Sequence, residues 1–376
     1  MSSRFADRFR SITSLRPRIS PLHINSAVLV IALFILLLHV VGWTTLIAVV
    51  APLHLSAGSG AVGAGIGITA YTLGMRHAFD ADHIAAIDNT TRKLVGEGRP
   101  ASSVGFWFSL GHSTIVFGLT LLVAIGAHSL SDHVASPGSL FHTLAGLIGT
   151  SVSGGFLYLI ALLNLASFFE IFKVFRRLKA GQYEEAHLEL QLSHRGVVSR
   201  LLAPLMRLVH RPAQMYFVGL LFGLGFDTAT EIALLVLTES GAASGLPWYG
   251  TLCIPILFAA GMLLFDTVDG SFMNVAYGWA LAKPVRKIYY NLVVTGLSVA
   301  VAVGIGTVEL LGLFGHARHP HDGFWAIVSR VDLNDLGFGI VALFVFTWLV
   351  SVAIWKFGRI EERWSPVHRH SLWKSE

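Results

Sequence analysis

Residues 76–84, RHAFDADHI, hold one arginine, two histidines and two aspartates inside an otherwise apolar stretch. Three other apolar stretches carry similar groups: His112 in SLGHST, Asp227 and Glu231 in LGFDTATE, and Asp266 and Asp269 in GMLLFDTVDG. Together with Asp80 and Asp82 they give six carboxylates against one arginine, Arg76, so the surplus charge is negative and favours a cation. Carboxylate and carbonyl sites suit Mg, Ca or Mn, whereas imidazole suits Zn, Cu, Fe and Ni. His77, His83 and His112 mixed with carboxylates therefore point to a first-row divalent metal. The single cysteine, Cys253, excludes an intrachain disulfide and a thiolate cluster, and argues against Cu(I).

Spacing refines this. At about 100° per residue, His77, Asp80 and His83 fall within an arc of roughly 120° and can line one helix face, while Asp82 lies about 140° from His77. A regular helix cannot aim all four at one ion, so either Asp82 pairs elsewhere or the helix is distorted. Broken backbone is tolerated at membrane depth where it lines a cavity. A plain salt bridge between Arg76 and Asp80, four residues apart, is the structural alternative. Gly63, Gly65, Gly67 and Gly74, with Gly219, Gly223 and Gly225, allow close helix approach, local unwinding, or both.

The elements that position these groups are membrane helices. Apolar residues make up 54% and charged residues 13% of 376, with mean hydropathy +0.66. The charged share is about half that of a soluble domain. Eight stretches satisfy the requirement of roughly 20 apolar residues per crossing: 27–50, 61–87, 104–127, 144–172, 213–237, 252–276, 288–314 and 336–357. The first follows a basic segment and is too long for a signal-peptide core, so it reads as a retained span. The expected fold is all-α, a polytopic integral membrane protein with eight transmembrane helices. Residues 1–26 form an N-terminal segment, 27–172 the first four helices, 173–212 a loop, 213–357 the last four helices and 358–376 a tail. With the N-terminus inside, 24 of the 27 lysines and arginines fall on the inner side, which places both termini in the cytoplasm of a cell-membrane protein. The net charge of +5 thus reflects topology and not nucleic-acid binding.

A buried carboxylate or arginine costs about 2.5–3.5 kcal/mol at a helix centre, so six unpaired carboxylates would cost on the order of 15 kcal/mol. They must face one another, Arg76, water or a bound cation. Other polar residues carry blander readings. His39 reads as a packing histidine, Glu170 and Glu309 lie near span ends, and the histidines from His316 to His321 read as solvated loop residues. A faint internal echo joins FDADHIA (79–85) to FDTATEIA (226–233).

RHAFDADHI resembles the second-span signature of the nickel/cobalt transporter family, a histidine and then, after four intervening residues, Asp-His: here His77, then Asp82-His83. FSLGHSTIV, LGFDTATE and GMLLFDTVDG resemble its other three signatures, in the expected order and spans. The resemblance covers residues 27–357. It implies a secondary transporter taking up Ni²⁺ or Co²⁺, not an enzyme, with His77, Asp82 and His83 central to recognition. Asp80, His112, Asp227, Glu231, Asp266 and Asp269 are the further candidates. It also associates phenylalanine at position 79 with cobalt acceptance. The family includes related exporters, which keeps efflux open as an alternative; a membrane-embedded metalloenzyme is a remoter one, since HExxH is absent. No cofactor is expected beyond the transported ion. No phosphate loop or ATPase part is evident in this chain.

Overall fold

The computed structural model describes residues 26–53, 55–57, 60–62, 64–124, 140–179, 209–224, 229–280, 284–316 and 333–357. The helices are α1 (Ser26–Thr45), α2 (Ala64–His77), α3 (Ala81–Gly96), α4 (Val104–Ala124), α5 (Leu140–Lys179), α6 (Met215–Phe222), α7 (Ala229–Ala243), α8 (Cys253–Ala280), α9 (Pro284–His316) and α10 (Leu333–Phe357). Among the described residues, five helical segments are long and apolar enough to cross a membrane: Ser26–Leu53, Val104–Ala124, Gly146–Lys173, Trp248–Trp279 and Leu292–Leu313. The chain is a polytopic helical membrane protein. One departure from the all-α expectation is a small antiparallel hairpin, β1 (Leu55–Ala57) with β2 (Gly60–Val62), in which Ser56 pairs with Ala61. The terminal segments, Asp227, the connection at 180–208, and His54, His128, His133, His319 and His321 lie outside the described residues.

α8 is the central helix. It packs against α1, α2, α3 and α4, and two-thirds of its apolar span is buried, against 17% for α1. α1 turns Leu33, Leu36, Leu37 and Val40 outward, as a lipid-facing helix should. α5 and α9 form a second, closely packed pair that flanks α3.

The expected second span, 61–87, is not one helix. It breaks at Ala78–Asp80 and resumes as α3, which continues to Gly96. The backbone donors at the break are satisfied locally: Ala78 N–H donates to Gly74 O (3.2 Å), Phe79 N–H to Arg76 O (3.0 Å) and Asp80 N–H to His77 O (3.0 Å). Asp80 is extended (φ −64°, ψ 141°) and stands immediately before α3. Phe79 fills the outside of the break, stacked on Phe338 of α10 with ring centroids 4.6 Å apart. The expected fifth span contains α6 and α7, with 225–228 between them outside the described residues.

α3 runs beyond residue 87, where the second span was expected to end, and Asp88 to Lys93 on it are buried. Hydropathy counts such residues as polar without seeing the partners that neutralise them.

Close approach of α4 to α8 fixes the depth of the site. A Cβ on Gly105 would overlap the backbone carbonyl of Asp266, whereas one on Gly118, in the same helix, would meet open space. Gly105→Ala is therefore expected to lower stability in detergent by about 1–3 kcal/mol, the usual cost of overpacking. Gly118→Ala should leave the melting midpoint where it is, and thermal unfolding followed by size-exclusion chromatography distinguishes the two.

A candidate metal centre between the broken helices

Four helices deliver the polar groups to one place. α2 ends on His77, α3 carries His83 in its first turn, α4 carries His112 and α7 carries Glu231. The three imidazoles form a triangle with centroid separations of 4.6 Å (His77–His83), 4.7 Å (His77–His112) and 4.8 Å (His83–His112). Each offers one nitrogen such that all three lie within 4.8 Å of one another. All three side chains are buried, as are Asp80, Glu231 and Asp266 around them.

The contacts assign the nitrogens. His77 Nδ1 lies 2.7 Å from Asp80 Oδ2 and 2.9 Å from Thr230 Oγ1. The hydrogen bond at that nitrogen is with Thr230, and the Asp80 carboxylate is in ion-pair contact with it; a proton held on Nδ1 by the adjacent carboxylate leaves Nε2 as the lone pair. His83 repeats the pattern: its Nδ1 is 3.2 Å from Asp266 Oδ2, and its Nε2 has no hydrogen-bond partner among the described residues. Asp266 Oδ2 also accepts from the Ser109 hydroxyl. A carboxylate on one imidazole nitrogen fixes the tautomer and raises the basicity of the other, the arrangement found behind metal-binding histidines.

His77 Nε2 and His112 Nε2 are 2.9 Å apart, and Glu231 Oε1 lies 2.8 Å from the latter and 3.9 Å from the former. Nitrogens this close share either one proton or one cation. Two donors each about 2.1 Å from a common ion at a right angle would stand about 3 Å apart. The separation therefore suits adjacent positions in one coordination sphere.

Asp82 is half-buried in the first turn of α3, and its Oδ1 accepts from the backbone N–H of His83 at 2.9 Å. The helix is interrupted between His77 and Asp82, the distortion the sequence left open. Asp80 faces His77, not the Arg76 of the salt-bridge alternative. Asp269 lies one turn beyond Asp266 on α8, outside the imidazole triangle. His39 bonds Ile35 O (2.8 Å) and lies 3.3 Å from the Tyr71 hydroxyl, in keeping with its packing role. Glu309 bonds Ser153 (3.0 Å) between α9 and α5. Sequence reasoning missed Ser109 and Thr230, which orient the site. Both lie inside the quoted motifs, FSLGHST and DTATE, so the signal was there in the neighbouring hydroxyls.

A polytopic helical membrane protein whose buried centre combines three imidazoles with carboxylates belongs among membrane proteins that handle divalent transition metals. Residues 63–354 match the NicO family, described as high-affinity nickel-transport protein, and the chain belongs to that family. It is 56% identical over 332 residues to the nickel transporter NicT of Mycobacterium tuberculosis, covering 88% of this chain and 89% of that one. It is 45% identical over 331 residues to the nickel transporter NixA of Staphylococcus aureus (88% and 95% covered). It is 40% identical over 322 residues to the cobalt transport protein NhlF of Rhodococcus rhodochrous (84% and 88% covered). No solved structure matches.

Proposed function

We propose that the protein takes up Ni²⁺ or Co²⁺ across the cytoplasmic membrane, with eight spans and both termini in the cytoplasm. The observation that carries this reading is the imidazole triangle at the helix break, with Asp80 behind His77 and Asp266 behind His83. The ligands are His77 Nε2, His83 Nε2 and His112 Nε2, with Glu231 supplying an anionic oxygen. Asp80 and Asp266 hold tautomers instead of binding the ion first-hand, and Asp82 sets the first turn of α3 so that His83 faces inward. Names borne by the relatives support nickel and cobalt as cargo, and imidazole donors suit both ions.

In mechanism, a hydrated dication enters from outside and exchanges water for imidazole nitrogen. The charge of Glu231, Asp80 and Asp266 offsets the cost of bringing a dication into a buried site. Rearrangement at the break at Ala78–Asp80 then carries His83 away from His77 and opens the site inward.

Accumulation of ⁶³Ni and ⁵⁷Co by cells expressing the full chain, compared with cells carrying vector alone, tests this. Uptake predicts net accumulation of at least one ion at trace concentration, inhibited by an excess of the other. Net depletion would establish efflux, and binding without movement in either direction would overturn transport.

A further inference from the structure

Inward of the histidine centre, α3 carries a second buried polar group that the transport reading does not use. α3 and α8 run parallel there: His83 faces Asp266, and Ile87 lies beside Gly270. Asp88 follows, fully buried, and each of its oxygens is taken by another helix. Oδ1 accepts from the Tyr277 hydroxyl of α8, and Oδ2 from Ser298 of α9 at 2.7 Å. One turn further, Arg92 donates from Nη1 to Thr295 of α9 at 2.8 Å. Asn89, between them, receives a hydrogen bond from Asn164 of α5 at 2.5 Å. α3 is thus stapled to three helices along one seam.

The seam is built incompletely. Arg92 is 5% exposed, yet its Nε and Nη2 have no hydrogen-bond partner among the described residues. Asp88 and Arg92 are four residues apart on one helix, the spacing at which a carboxylate and a guanidinium pair directly. Even so, both Asp88 oxygens are committed across the helix interface and Arg92 is committed to Thr295. A buried guanidinium with two idle donors beside a carboxylate bonded elsewhere has a second arrangement at hand. In it, Asp88 lets go of Tyr277 and Ser298 and accepts from Arg92. The cross-helix staples are then exchanged for a bond internal to α3, and α3 is free to part from α8 and α9.

We propose that Asp88 and Arg92 form the inner gate of the transport path, a latch that exchanges partners between a closed state bonded to Tyr277 and Ser298 and an open state paired within α3. The proposal rests on the uptake reading for its direction. It adds Arg92, Tyr277 and Ser298 as gating residues, none of which touches the ion in the histidine centre. Interconversion of two discrete arrangements is what a switching element requires.

The two sides of the latch make opposite predictions. In full-length protein with Cys253→Ala and a reporter Met273→Cys beside Tyr277, labelling by a membrane-impermeant maleimide is followed in inside-out vesicles, and ⁶³Ni uptake in cells. Tyr277→Phe with Ser298→Ala removes the closed-state bonds and should raise labelling at least five-fold. Arg92→Gln removes the open-state bond together with the closed-state bond to Thr295, so it is compared with Thr295→Val, which removes the latter alone; relative to Thr295→Val it should lower labelling, and it should slow maximal uptake at least ten-fold with KM within two-fold of wild type. Arg92→Lys, which keeps a cationic partner, should restore most of the rate. Tyr277→Phe alone gives a milder test if the double variant fails to fold. Labelling that moves in the same direction for both sides, or is indifferent to both, overturns the latch. Absence of both ⁶³Ni and ⁵⁷Co uptake by the wild-type chain would instead overturn the parent reading, while the labelling still decides whether the latch exists.

Discussion

Cells expressing His77→Ala are expected to accumulate no more ⁶³Ni than cells carrying vector alone, a loss of at least about 100-fold at trace metal. The expectation exceeds the 10–100-fold typical of losing a group behind a metal ligand, because His77 is both a donor and the hub of the site. Its Nε2 lies 2.9 Å from His112 and 3.9 Å from Glu231, and its Nδ1 engages Asp80 and Thr230. Removing the ring leaves the buried carboxylate of Asp80 without the group it faces, and leaves His112 and Glu231 alone opposite His83. Equilibrium dialysis of the purified variant against ⁶³Ni separates a lost site from lost movement. Retained binding with lost uptake would show His77 to act in passage and not in capture, contrary to the ligand assignment. Wild-type uptake by the variant would sink the site altogether.

The second large effect is expected at a residue that need not touch the ion. Asp266→Asn removes the charge that draws the His83 proton to Nδ1, and it presents an amide N–H₂ that can turn toward the ring. In that orientation the proton moves to Nε2 and the ligand lone pair is lost. Weakening of Ni²⁺ binding by about 10–100-fold is expected, the range for carboxylates that orient metal-binding imidazoles. Asp266→Glu, which keeps the charge but shifts it by one methylene, should recover part of the loss. The ligand-field absorption of bound Co²⁺ supplies a readout independent of transport. Unchanged affinity in the Asn variant would mean that Asp266 does not set the His83 tautomer.

Much of this site was legible before any coordinates. The four motifs hold the three histidines and the carboxylates that surround them, and insertion energetics required those groups to face one another, Arg76, water or a bound cation. The angles of a regular helix do not relate His77 to Asp82, because the helix breaks between them, and Asp82 Oδ1 accepts from the His83 backbone N–H. Division of labour among the carboxylates was not legible. Whether an aspartate binds an ion or steers an imidazole depends on which nitrogen it faces, and spacing along a chain does not contain that information. The run IDNTTRK misled for a different reason. Its charges resemble those of a loop, and only Tyr277, Thr295 and Ser298, about 200 residues away in the chain, reveal why they can be buried.

The interruption at Ala78–Asp80 sets more than a direction. His77 closes one half-helix and His83 opens the next, so an ion bound to both is a chelate spanning a joint. Flexing that joint by a few degrees lengthens one bond while sparing the other, and denticity drops stepwise without any loss of secondary structure. On the proposed ligand assignment, tight capture from dilute surroundings and prompt discharge are properties of one three-residue articulation, whose stiffness sets the balance between scavenging and turnover.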